Sequence, residues 1–271
     1  MTQKFTEVLK NEPNFRLIQS CLTLIVVILL IWSSSVVDFS NYSQNGWQVA
    51  LNIIKGIFTP SLDMLADFST KGIWFLLFET ICIAIIGTLI GGILSLPLAF
   101  FAAPNIVPRW LAFIVNFLIM MIRTIPAIVY GLMFIRVTGP GPFAGVLTMT
   151  FTSIGMLTKL FSESIMNIDR SVIEAFTAMG ANTWEKIRFG IAPQLSASFL
   201  STLIYRFDMN IRDATTLGLV GAGGIGAPLM FAINSYRWNQ VGAILLSLIL
   251  LVILVEYTST RIRSYLAYGH R

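Results

Sequence analysis

Long apolar stretches without a central charge recur along this sequence, and they decide its solvent before any other feature is considered. An α-helix needs about 20 residues, at 1.5 Å each, to cross roughly 30 Å of hydrocarbon. Six segments meet that length: residues 17–37, 73–101, 110–135, 143–161, 195–220 and 241–259. The rest of the composition agrees. Of the 271 residues 56% are hydrophobic and 11% charged, with a mean hydropathy of +0.79, against about 25% charged residues in an ordinary soluble domain. A soluble globule is excluded, and an all-α polytopic membrane protein of about six transmembrane helices is predicted. The first apolar segment has a second reading, because Lys4, Lys10 and Arg16 precede it and Ser33, Ser34 and Ser35 follow. That is also the pattern of a cleavable secretory signal.

The polar residues between these segments organise the chain. Residues 1–16 form an N-terminal cytoplasmic segment, 17–37 the first transmembrane helix, 38–72 an extracytoplasmic segment, and 73–271 the core. Within 38–72, Trp47, Leu51, Ile54 and Phe58 recur at helical spacing beside Asn52 and Lys55, which predicts an interfacial amphipathic helix. Residues 162–194 carry Glu163, Asp169, Arg170, Glu174, Glu185, Lys186 and Arg188, far too polar for lipid. With the amino terminus in the cytoplasm, eleven basic residues fall inside and four, Lys55, Lys71, Arg136 and Arg237, outside. That asymmetry is the positive-inside pattern. The net charge of +5 is therefore a topology signal that predicts two cytoplasmic termini and leaves no nucleic acid to explain.

Catalytic chemistry has little to work with. Cys21 and Cys82 lie in apolar runs and His270 is the sole histidine, so neither a disulfide framework nor a Cys/His metal site can be assembled. There is no phosphate-loop lysine, so the chain does not hydrolyse ATP, and no Ser/His/Asp or Cys/His constellation. The stretch Gly221-Ala222-Gly223-Gly224-Ile225-Gly226 matches the dinucleotide fingerprint letter for letter. A membrane helix precedes it instead of a strand, and the next acid is Glu256, so a cofactor loop is rejected. Gly221, Gly223, Gly224 and Gly226 instead describe a backbone that turns tightly, as a gate would.

The charges inside the spans are the other informative feature, since each costs roughly 2.5 to 3.5 kcal/mol near the bilayer centre on insertion scales. At 100° per residue Arg206, Asn210 and Asp213 fall within about 60° of one another, and Asp208 and Arg212 form a second stripe roughly opposite. One stripe lets the helix insert as an ion pair and the other lines a watery path; the spacing leaves open which does which. Arg123, followed by Thr124, Ile125 and Pro126 in the third span, either meets a small anion or pairs with Asp208 or Asp213. Glu79 lies near the outer end of its span and is read as interfacial. Gly87 and Gly91 have the small-xxx-small spacing of close helix packing.

The loop Glu174-Ala175-Phe176-Thr177-Ala178-Met179-Gly180, with Pro193 thirteen residues after the glycine, resembles the EAA loop of ATP-binding-cassette importer permeases. Glu174, Ala175, Gly180 and Pro193 match that motif, whereas Phe176, Gly190 and Ala192 replace its second alanine, its isoleucine and its leucine. Three further stretches, Arg123-Thr124-Ile125-Pro126, 139–145 and Asn210-Ile211-Arg212-Asp213, are similar to the phosphonate and phosphite branch of the family. The glycine-rich stretch is shared with methionine-type permeases. The resemblance implies a type I importer architecture: two copies of this chain, a cytoplasmic ATPase dimer that binds ATP and Mg, and an extracytoplasmic binding protein. It implies that Glu174 to Pro193 couples to the ATPase, and that a small phosphorus oxyanion passes Arg123, Arg206, Asp208, Asn210, Arg212 and Asp213. An amino-acid permease of the same family, or an ion-coupled secondary transporter using Asp208 and Asp213, are the competing expectations.

Overall fold

A computed structural model describes residues 15–36, 46–69 and 72–268; Lys4, Lys10, Lys71, His270 and Arg271 lie outside them. Every regular element among the described residues is helical. In chain order they are α1 (Arg16–Val36), α2 (Gly46–Phe58), α3 (Leu62–Leu65), α4 (Ile73–Ala102), α5 (Arg109–Thr124), α6 (Ala127–Thr138), α7 (Pro142–Met166), α8 (Arg170–Ala178) and α9 (Thr183–Glu185). A π-helical turn (Lys186–Ile191) then leads into α10 (Ala192–Leu219), α11 (Gly226–Asn234) and α12 (Trp238–Tyr268).

The chain divides into two compact units, residues 1–51 and 52–271. In the first, α1 exposes apolar side chains on every side, as a helix solvated by lipid does. In the second, α4, α7 and α12 are each long and apolar enough to cross a membrane, and α5 with α6, counted together as one bent span, has the length and composition for a fourth. The 28-residue α10 reaches about 42 Å, and with the 21-residue α1 it brings the membrane-scale helices to six.

The third apolar segment differs from a simple span, because α5 and α6 meet at 85°. Pro126 has no N–H to offer the Ile122 carbonyl one turn back. The Tyr130 hydroxyl donates to that carbonyl instead, at 3.1 Å, so the acceptor that the proline deprives of its backbone donor keeps a partner.

Helices α4 and α7 run parallel through small residues. A Cβ placed on Gly91 would stand 2.6 Å from Ser153 Cβ, and one on Gly87 would strike Met149, so the spacing read from the sequence serves close packing. Antiparallel α10 completes the centre. One apolar cluster around Ile73, Leu77, Ile211, Ile225 and Ile244 holds the end of the bundle near residue 220. Another around Leu157, Phe161, Ile165, Ile191 and Leu195 holds the end near residue 190. A polar layer lies between them.

Candidate functional site

That layer is built by α10 against α4 and α7. Arg206, 5% exposed, donates from Nε to Ser153 Oγ at 3.1 Å and from Nη2 to Thr152 Oγ1 at 2.9 Å. Its Nη1 reaches Met156 Sδ at 3.4 Å, and Asp213 stands 3.8 Å away. Asn210, with no exposed surface, donates to Thr88 Oγ1 at 2.7 Å and to Ser153 Oγ at 2.9 Å. The guanidinium is thus solvated by hydroxyls, sulfur and a carboxylate, which a buried charge requires. On the other face of α10, Arg212 donates to buried Asp208 at 3.0 Å and to Glu256 of α12 at 3.3 Å. The two stripes therefore meet different helices, the first α4 and α7 and the second α12.

Arg123 joins neither. It forms no ion pair among the described residues, so of the two readings the pairing with Asp208 or Asp213 is not made: Asp208 is turned to Arg212, and Asp213 to Arg206. Arg123 Cγ would lie 3.0 Å from a Cβ on Gly155, and the side chain lines a cleft between α5 and α7.

At the far end of α10 the glycine-rich turn closes over α4 and α7. Gly221, Gly223 and Gly224 have φ of 97°, 84° and 69°, backbone that side chains rarely adopt. Gly226, by contrast, opens α11, and a Cβ there would strike the Thr215 carbonyl. Glu79 is more than interfacial. Its Oε1 accepts from Gly224 N at 3.0 Å and neighbouring Thr80 Oγ1 accepts from Ile225 N at 3.0 Å. These two acceptors tie the turn to α4, and nothing in the local sequence around Glu79 signals them.

The polar loop 162–194 begins inside α7, which continues to Met166. Asp169 accepts from Ser171 N at 3.0 Å and caps α8. Gly180, φ 78°, ends α8 with Ala181 N donating to Phe176 O and Gly180 N to Thr177 O, both at 3.0 Å. Asn182 and Glu185 form a reciprocal cap on α9, and Pro193 sits in the first turn of α10. Glu174 and Ala175 are exposed on α8. Two departures from the family motif meet here: a Cβ on buried Gly190 would stand 3.0 Å from the Phe176 ring. A large residue at one position is matched by the smallest at the other.

Comparison with known proteins accords with this architecture. The family described as binding-protein-dependent transport system inner membrane component matches residues 95–267. The phosphite transport system permease protein PtxC of Stutzerimonas stutzeri is 34% identical over 89% of this chain and 86% of its own length. The phosphate-import permease protein PhnE of Mycolicibacterium smegmatis is 33% identical over 78% of this chain, which spans 40% of that longer protein. A solved inward-facing structure of the MetNI methionine transporter superposes with a TM-score of 0.63 over 72% of this chain and 95% of that one. Its 20% identity speaks for the fold alone. The chain is a multi-pass inner-membrane protein and belongs to the family of inner-membrane permease components of binding-protein-dependent ATP-binding-cassette transport systems.

Proposed function

We propose that this permease forms the path by which an ATP-driven importer brings a small phosphorus oxyanion, phosphite or a phosphonate, into the cell. The observation that carries the substrate class is the 34% identity, over 89% of the chain, to a phosphite permease. Family membership calls for a substrate-binding protein and an ATPase as partners. The finer reading is a homodimer with twelve spans, both termini cytoplasmic, and the glycine-rich turn at the outer face where the binding protein delivers its load. ATP and Mg are held by the ATPase, which docks on the loop bearing Glu174, Ala175, Gly180 and Pro193. The loaded binding protein and ATP each favour one of two bundle arrangements, and their differential binding drives the switch.

Among the pathway candidates Arg123 is favoured, because Arg206 and Arg212 already face carboxylates and hydroxyls. A guanidinium suits an oxyanion geometrically. The test is ATP-dependent uptake of phosphite, methylphosphonate, phosphate and methionine into proteoliposomes containing the chain, its ATPase and its binding protein. Uptake of a phosphorus oxyanion, abolished by Glu174→Arg and reduced by Arg123→Ala in intact complexes, is the expected result. Methionine uptake alone would keep the importer and overturn the substrate. Transport without ATP would overturn the importer.

A further inference from the structure

The cleft that Arg123 lines has a volume of about 470 Å³ and is also walled by Asn116, Met120, Thr124, Lys159 and Met166. Arg123 lies beside Gly155 in the middle of α7. Lys159 follows one turn later, about 6 Å nearer the Glu174 loop, and Met166 ends the helix. The cleft thus runs from mid-membrane toward the loop end, with two cations in sequence along it. They differ in their partners. Arg123 has no carboxylate among the described residues, whereas Lys159 Nζ is 3.2 Å from Glu163 Oε1, with both side chains part-exposed at 39% and 45%. An i,i+4 pair of that exposure contributes only about 0.3 to 0.5 kcal/mol, so an arriving anion can displace the carboxylate.

We infer that Lys159 is a second, exchangeable oxyanion site on the cytoplasmic side of Arg123, and that Glu163 is the built-in competitor that limits how long an anion stays there. Conduction needs successive sites favourable enough to enter and weak enough to leave. Arg123 offers a planar two-pronged donor and Lys159 a single mobile charge. Glu163 restores the lysine's partner as the anion departs, so the site empties without leaving an uncompensated charge. This inference rests on the oxyanion reading above.

The test uses the same assembled complex in proteoliposomes with ATP inside, measuring initial phosphite uptake against increasing phosphite preloaded in the lumen, which is the cytoplasmic side. Luminal phosphite should inhibit. Glu163→Gln should lower the half-inhibiting concentration about twofold, the factor to which the weak competing pair converts. Lys159→Met should raise it by a similar factor, and Lys159→Arg should stay near wild type, which guards against a folding artefact. Wild-type luminal sensitivity in both Glu163→Gln and Lys159→Met, in complexes whose ATPase still responds to loaded binding protein, would overturn the site while leaving the substrate reading intact. A complex that takes up methionine and no phosphite would instead fail at the substrate reading.

Discussion

At its Leu219 end α10 runs into glycines pressed against backbone, whereas at its Ala192 end it is met by one aromatic ring resting on Gly190. In the first place Gly141 N donates to Gly221 O at 2.9 Å, a Cβ on Gly145 would strike the Ala222 carbonyl, and Glu79 and Thr80 take the next two amides. In the second place the nearest atoms belong to Phe176 and Val172 side chains. Backbone cannot step aside without moving a helix, and a half-buried ring can. The two ends of one lever therefore differ in stiffness, and the difference follows from which atoms make the contact.

The largest expected effect is at the stiff end. Gly223→Val puts a branched side chain at φ 84°, where left-handed backbone costs roughly 1 to 2 kcal/mol, and its Cβ would stand 2.7 Å from Pro142 Cα. Loss of folded protein is expected, read as yield and monodispersity in detergent. Normal yield with normal melting would mean that this end is as yielding as the other.

Gly190→Leu should cost less, about 1 to 3 kcal/mol by overpacking, because the Phe176 ring can rotate away. Adding Phe176→Ala should recover most of the loss in melting temperature, a coupling that separate sites would not show. Simple additivity would remove the contact from the account. Glu79→Leu comes next. It leaves Gly224 N–H without its acceptor, at a cost of about 1 to 3 kcal/mol, and Glu79→Gln should recover part of that by keeping an oxygen in place. Equal melting of all three forms would show that Glu79 does not hold the turn.

How far these contacts could be read beforehand depends on the distance along the chain between partners. The spans, the polar loop and the stripes of α10 follow from periodicity, since the residues that define them are neighbours on one helix. The turn at Gly221, Gly223 and Gly224 was legible for the same reason: three left-handed positions within four residues leave glycine as the economical choice. Glu79 was not, because its partner Gly224 lies 145 positions away. Phe176 and Gly190 each looked like a departure from a motif, and their size match emerges once α8 folds against the π-helical turn. Arg206 and Arg212 have the same chemistry in sequence. What separates them is the neighbour each stripe meets, Ser153 and Thr152 on α7 for one and Glu256 on α12 for the other.

The smallest expected effect is at the yielding end and concerns pH. Ser171 N–H donates to the Asp169 carboxylate that caps α8, and this holds its carboxyl below the usual value of 3.8. For an acid whose folded value is depressed, the stabilisation is present above the unfolded value and is lost as pH falls through the folded one. The cap is therefore fully formed from neutral pH down to about 5 and weakens below 4. Amide exchange in α8 should be flat with pH across the upper range, once corrected for intrinsic rates, and rise below 4. Asp169→Asn keeps a capping oxygen and removes the titration, so its protection should no longer change at that point. A wild-type change near pH 6 would assign the control of α8 to some other group and would make this end of the lever responsive under physiological conditions.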